Sequence, residues 1–468
     1  MTEQYGTDGG ERARREAARK IRKQKIIRRR ITALICAGVL VVAAGFGLSR
    51  LLGGGDDGEG DGSGGGGIFG SAEPKAEPVE LTISCVGDVM AHQSQLTAQY
   101  DSATKSYNFD DNFQYVKKYI EGADLALCNV ETTFAGGAYT GYPSFNAPET
   151  LADALKNAGF DVAITANNHM MDKGFSGMQR TVEVLRAAGL PVTGSRLTGE
   201  TQKYVMQEVN GVQVAVVAYT YETPGVNGRR TINGNPLSDE AKSAINSFSY
   251  NSLDNDLADV QATISAAREA GAQIVTVYFH WGEEYQRTPN DWQQTIARRA
   301  AEMGADLIFA SHPHVLQGVE MLEIPADVPA DASAGGDEDD NGADSGGQTQ
   351  DPAVRRVPVF YSMGNFISNQ RTETLGDTMN KKYTEQGMIA NVHITYDKTA
   401  GKITDISMDA MPTWVDKYNS GGKVNYAIVP LDSAMADNAA LKTSGHLSRA
   451  QDALSDVKKL LGEEYVAQ

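Results

Sequence analysis

The strongest constraint on the fold of this chain is a repeated alternation between short apolar runs and amphipathic stretches. LTISCVG (81–87), DLALCNV (124–130) and DVAITAN (161–167) read as strands. DNFQYVKKYIEGA (111–123), PETLADALKNAGF (148–160) and GMQRTVEVLRAAG (177–189) read as the helices between and after them. Such βα units predict a largely parallel sheet. YVMQEVNGVQVAVVAYT (204–220) then places Asn210 and Gly211 between two alternating runs, the signature of a two-residue hairpin turn. A helix over 254–270, strand IVTVYFH (274–280), helix DWQQTIARRAAEMG (291–304) and strand DLIFASH (306–312) restore the rhythm. VPVFYSMGNFI (357–367) adds a strand, and IANVHITYD (389–397) and KITDISMDAM (402–411) form a pair joined around 398–401. No internal repeat is visible.

The polar residues collect where these strands end. Five of the seven histidines, His92, His169, His280, His312 and His314, sit at or just beyond a strand-like run. Asp88 follows the first run, and Asn129 and Glu131 close the second. Loops leaving the carboxyl ends of parallel strands share one sheet edge, so groups far apart in sequence can converge there. Imidazole, carboxylate and amide oxygen together are the donor set of a borderline divalent cation. In SHPHV, His312 and His314 are two apart, and in extended backbone such residues point the same way. A lone histidine is usually an ordinary surface or core residue; the joint placement carries the metal reading. NNHMMDKG (167–174) also suits a helix-capping turn, through Asn167, Asn168 or Asp172. Glu283 and Glu284 in HWGEEY read as solvated loop charges, and Gly364 and Asn365 as a turn near the same edge. TYETPGVNG (220–228) suits either a substrate-facing loop or a plain turn.

The 468 residues divide by composition. Residues 1–30 are strongly basic. They precede an almost uninterrupted apolar stretch, 31–48, long enough to span a bilayer, and 31–52 is read as an uncleaved signal anchor. The positive-inside rule keeps 1–30 in the cytoplasm and places the main domain outside a single-pass membrane protein. Residues 1–50 hold 12 Lys or Arg and 4 Asp or Glu, leaving 30 and 56 in the remainder, a net of −26. That acidity disfavours nucleic acid, whose phosphates require basic patches. Residues 53–78 are glycine-rich and acidic, a flexible linker. The main domain is assigned to 79–430, with a solvated acidic insertion at 327–354 and a helical segment at 431–468. Three cysteines make no disulfide framework. Cys36 falls in the anchor, and Cys85 and Cys128 are expected as buried thiols.

Six motifs in order, GDVMAH, NVETTF, ITANNHMMDKG, FHWGEEY, SHPHVLQG and YSMGNF, resemble the CapA family of poly-γ-glutamate capsule biosynthesis proteins over roughly residues 80–370. The resemblance implies the fold of the calcineurin-like metallophosphoesterases, an α/β/β/α sandwich of two mixed sheets, here preceded by one transmembrane helix. It further implies a site for two divalent ions, of Mn, Fe or Zn. Asp88 and His314 would serve the first ion, Glu131 would bridge, and Asn168, His280 and His312 would hold the second. His169 resembles the histidine that stabilises the transition state or protonates the leaving group, with His92, Asp172 and Asn365 as further candidates. The sequence departs from the phosphoesterase pattern in three places. No histidine stands two after Asp88, Glu131 replaces the usual bridging Asp, and NNHM stands for GNH followed by an acid. The expected partners are the bilayer, membrane-bound synthase or export subunits, and an anionic polymer or a phosphoester substrate. The alternatives to a capsule role are a cell-surface metal-dependent phosphoesterase and a non-catalytic scaffold.

Overall fold

The computed structural model describes residues 77–325, 354–376 and 378–467. The expected cytoplasmic segment 1–30, the anchor 31–52, the linker up to 76 and the acidic insertion up to 353 lie outside the described residues. No helix among the described residues is long and apolar enough to cross a membrane.

Two mixed sheets form the body. The first has eight strands and is built on β1 (Pro78–Val89). On one side of β1 run the parallel strands β2 (Leu125–Val130), β3 (Val162–Ile164) and β4 (Val192–Thr193). The second sheet has seven strands and starts from the hairpin of β5 (Tyr204–Val209) and β6 (Val212–Tyr221). β7 (Ile274–His280) and β8 (Leu307–Ser311) follow β6 in parallel, and β9 (Val319–Pro325) pairs antiparallel with β10 (Val354–Phe360) at the far edge. The chain then returns to the first sheet. β11 (Asn365–Ile367) lies parallel to the end of β1, while β12 (Gln386–Asp397), β13 (Lys402–Ser420) and β14 (Lys423–Pro430) extend β1's other side antiparallel.

Burial shows how the layers stack. Leu81, Ile83 and Cys85 of β1 share one buried cluster with Leu127, Val162, Val214, Val216, Tyr278, Leu307 and Phe309, so the two sheets face each other across an apolar seam. On the outer face of the first sheet lie α2 (Thr150–Ala158), through Leu151 and Leu155, and α3 (Gly174–Ala187), through Met178, Val182 and Leu185, after the short α1 (Gln93–Gln99). On the outer face of the second lie α4 (Leu253–Glu269), through Leu257, Val260 and Ile264, and α5 (Asp291–Glu302), through Ile296 and Ala300. The helix face spacing of these residues, three or four apart, is the amphipathic pattern itself. Near the C-terminus, α6 (Leu447–Leu461) packs Ala450 and Ala453 on Trp414 and Val429.

Local turn chemistry follows the sequence. Asn210 and Gly211 both adopt positive φ (51° and 76°), as the tight hairpin between β5 and β6 requires. The 111–123 stretch behaves differently from its pattern: it forms two single turns, Asp110–Phe113 and Lys117–Ile120, with a break between them. Residues 220–228 continue β6 into a small three-stranded sheet, Thr223–Val226, Arg229–Ile232 and Asn235–Pro236. Cys85 and Cys128 are buried free thiols. Their side chains enter different clusters, Cys85 the seam between the sheets and Cys128 the outer face, because neighbouring strand positions of opposite parity point to opposite faces.

One close approach sets the geometry of the strand ends. A Cβ on Gly87 would lie 1.9 Å from the Gly364 carbonyl oxygen, and Gly364 is itself pressed against the backbone of Gln386. Asp88 N–H donates to that same Gly364 oxygen (3.0 Å). Gly87→Ala is therefore expected to destabilise the fold by about 2–4 kcal/mol in chemical denaturation, whereas Gly318→Ala, which meets nothing within 4 Å, should stay within about 0.5 kcal/mol of wild type. Equal midpoints for the two variants would contradict this account of the β1 end.

Candidate metal centre

The carboxyl ends of β1, β2, β3, β7 and β8 bring their polar residues to one buried point. Asp88 occupies the penultimate position of β1, and Glu131 follows β2 directly, its N–H bonded to Val89 O (3.0 Å). Asn168 and His169 lie in the loop between β3 and α3. His280 is the last residue of β7, and His312 and His314 follow β8. All seven are buried.

Ligating atoms of Asp88, Glu131 and His280 lie within 4.8 Å of one another, a spacing that one cation could bridge. His280 Nε2 stands 3.7 Å and His314 Nε2 4.0 Å from Glu131 Oε1. Asn168 Oδ1 stands 2.9 Å from His280 Nε2, and His314 Nδ1 stands 2.9 Å from Asp88 Oδ2. The His312 ring lies 4.9 Å from that of His280 and 6.0 Å from that of His314, centre to centre. Six of the residues expected as ligands thus converge. His169 stands beside them with Nδ1 on Asp172 (2.8 Å), whose carboxylate also accepts from Phe145 N–H (2.7 Å). His92 is on the wall of the adjoining pocket instead, where Asn369 N–H donates to its Nδ1 (3.2 Å). Asn365 supports His314: its Oδ1 lies 3.1 Å from Nδ1, while its amide N–H groups donate to Thr384 O and Gln370 Oε1.

The donor set is shaped for a cation. Both oxygens of Glu131 and Nδ1 of His312 are buried without a hydrogen-bond partner among the described residues. A buried carboxylate without donors costs several kcal/mol, a cost that a bound cation offsets. Burial, and then the nearby charge of Asp88, push Glu131 well above the usual carboxylate range. Burial acts the same way on Asp88, but the hydrogen bond and charge of His314 outweigh it and hold Asp88 below its usual value. His280 is driven well below, and His312 down to about 3, by burial first and by neighbouring imidazoles second. Neutral imidazoles and ionised carboxylates are the forms that bind metal. His312 and His314 also hold positive φ (108° and 57°), a conformation that costs non-glycine residues roughly 1–3 kcal/mol each and that clusters at functional sites.

Several groups support the centre in roles that the sequence reading did not assign, and one of them, Tyr278, was not singled out there at all. Asn129 Nδ2 donates to Asp88 Oδ1 (2.8 Å), and Asn167 Nδ2 donates to Asn129 Oδ1 (3.1 Å), so two asparagines brace the first carboxylate. Tyr278 lies 3.2 Å from His280 Nδ1, which orients the ring and leaves Nε2 toward the centre. Its position two before His280 on the same strand face was the available signal. Tyr221, at the end of β6, packs against His312 at 4.7 Å. Glu284 lines the pocket beside the centre and bonds to none of the ligands.

Residues 82–370 match the family model described as bacterial capsule synthesis protein, PGA_cap. The chain is 30% identical over 309 residues to the capsule biosynthesis protein CapA of Bacillus anthracis, covering 63% of this chain and 61% of that relative. It is 28% identical over 306 residues to the PGA biosynthesis protein CapA of Bacillus subtilis strain 168, covering 62% and 64%. The chain thus matches less than two thirds of the length of these curated relatives. Among solved structures, a novel phosphatase from Mycoplasma pneumoniae superposes with a TM-score of 0.37 at 12% identity, over 72% of this chain and 95% of that one.

Glu131 gives this site a stability signature. Because its folded pKa is raised, the fold without metal favours the protonated form, and stability is lost as pH rises from the ordinary value near ~4.3 toward the raised one. Glu131→Gln should therefore stabilise the chelator-treated protein at neutral pH by about 1–3 kcal/mol, flatten that pH dependence and abolish the rise in Tm on adding metal. A chelator-treated variant less stable than wild type would contradict the assignment.

Proposed function

The chain belongs to the bacterial capsule synthesis protein family, and we propose that it serves the synthesis or export of an anionic envelope polymer of the poly-γ-glutamate type through a divalent-metal centre. The observation that carries the metal part is Glu131: a fully buried carboxylate, both oxygens without donors, among Asp88, His280 and His314. The anchor read at 31–52 would hold this domain outside the membrane, beside the synthase or export subunits that extrude the polymer. The layering of two mixed sheets between helices is in keeping with the metallophosphoesterase fold that the motif resemblance implies.

Asp88, Glu131, Asn168, His280, His312 and His314 would hold the ions. When bound, two divalent ions would polarise a phosphoryl or carboxyl oxygen and lower the pKa of an attacking water. The protein's own contribution is positional. Asn129, Asn365 and Tyr278 fix the ligand side chains, and the apolar seam behind them keeps bulk water out. His169 lines the pocket and is held at Nδ1 by Asp172, which leaves Nε2 as the nitrogen that would give a proton to a leaving oxygen.

That dyad favours a second reading, hydrolysis of an envelope phosphoester. A scaffold that only holds polymer needs no oriented proton donor. The two readings separate by leaving group. With the metal-loaded full-length chain, His169→Ala should slow hydrolysis of alkyl phosphodiesters by about 100-fold or more, and of a 4-nitrophenyl ester far less, at unchanged metal content. Absence of any turnover by the loaded wild type would sink the hydrolase reading. For the capsule reading, cells carrying His312→Ala with His314→Ala should lose surface polymer as a deletion does. Wild-type polymer levels in those cells would contradict it.

A further inference from the structure

Three cations without an acidic partner among the described residues lie on two touching loops, and one of them, Lys381, lines the pocket beside the metal centre. They are Arg287, on the loop after β7, and Lys381 and Lys382, in the segment Thr378–Tyr383. Several other arginines of this acidic domain are paired, Arg180 with Glu149, Arg230 with Glu222, Arg268 with Asp306 and Arg449 with Glu385. These three rest on tyrosine faces instead. The Arg287 guanidinium lies 3.8 Å and Lys382 Nζ 4.7 Å from the centre of the Tyr383 ring, and Lys381 Nζ lies 5.2 Å from that of Tyr285. Nε and Nη2 of Arg287 are buried with no hydrogen-bond partner among the described residues.

The two loops act as one piece. Asn380 Nδ2 donates to Tyr285 O (3.1 Å), and Tyr285, Met379 and Asn380 all hold left-handed backbone (φ 62°, 52° and 63°). Lys381 and Tyr285 line a pocket of about 410 Å³ whose wall also includes His169 and His314, so Lys381 stands at the entrance to the centre, with Lys382 next to it in the chain. Glu284 lines the same pocket but forms no ion pair with them. Two cations sharing one ring repel each other, and a tyrosine face returns only part of what a carboxylate or phosphate would give. An anion lying beside the three would relieve the repulsion and supply the counter-charge that the tyrosine faces do not.

We propose that Arg287, Lys381 and Lys382 form an anion-binding lip that grips a polyanionic chain next to the part presented to the metal centre. This deepens the functional reading above and rests on it for what lies beside the lip. Lysines recognise charge more than shape, so the ligand class is a chain of repeated anionic groups, carboxylates or phosphates.

The test uses the full-length chain in detergent, dialysed against chelator so that no metal contributes to binding. Titration calorimetry with a γ-linked glutamate oligomer and with tripolyphosphate should show binding that weakens with salt. Replacing Arg287, Lys381 and Lys382 together by Ala should reduce the affinity about 10-fold or more and flatten the salt dependence. Lys381→Glu, a single surface change, should weaken binding in the same direction, while Lys381→Arg retains it. Tighter binding of the glutamate oligomer assigns a carboxylate chain, and tighter binding of tripolyphosphate a phosphate chain. No binding to wild type, or equal affinity in the triple variant, overturns the lip. Since metal is absent throughout, that failure leaves the metal centre standing, and loss of metal in a Glu131 variant leaves the lip standing.

Discussion

A buried carboxylate that finds no hydrogen bond is the interaction around which this structure is arranged. Glu131 is fully buried with Asp88 beside it, and two ionised carboxylates so placed repel unless a proton or a cation lies between them. Partial relief for Asp88 comes from His314 and Asn129, at 2.9 and 2.8 Å. Nothing comparable reaches Glu131, whose nearest imidazole nitrogens stand at 3.7 and 4.0 Å. Those distances are too long for hydrogen bonds and suited to atoms that share a cation. Without metal the fold meets this cost by favouring a proton on Glu131, and a bound cation would offset it with the carboxylate ionised.

The sheets exist in a form that makes this possible. Parallel strands deliver Asp88, Glu131, Asn168 and His280 to one edge, and the return of the chain from β10 through β11 locks that edge by the Gly87–Gly364 contact. Asn365 comes directly after Gly364 and meets His314, so the same turn that closes the sheet also orients a ligand. Packing of the two sheets against each other supplies the low dielectric that raises Glu131 and depresses His280 and His312.

Much of this was legible residue by residue. Short apolar runs marked the strands, and alternation around the Asn210–Gly211 turn marked the β5–β6 hairpin, since these depend on local pattern and backbone preference. The strand-end positions of the histidines and carboxylates were equally visible, because strand ends are where apolar periodicity stops. The 111–123 segment misled: its pattern fits one helix, but tertiary packing breaks it into two turns, with Phe113, Val116 and Ile120 buried on the first sheet. Asn129 and Tyr278 could not be assigned from sequence, as their roles depend on which side chains the neighbouring strands place within 3.2 Å. The cationic lip was also hidden, because Arg287 and Lys381 are nearly a hundred positions apart and meet only through tyrosine rings on two touching loops.

The central claim is that this buried cluster holds metal. Plasma mass spectrometry of the full-length chain, purified without added metal or chelator and compared with its Asp88→Asn, Glu131→Gln double variant, tests it most directly. The account predicts up to two equivalents of Mn, Fe or Zn per chain in the wild type and a marked loss in the variant. Wild-type protein with no bound transition metal, even after incubation with each of these ions, would contradict it.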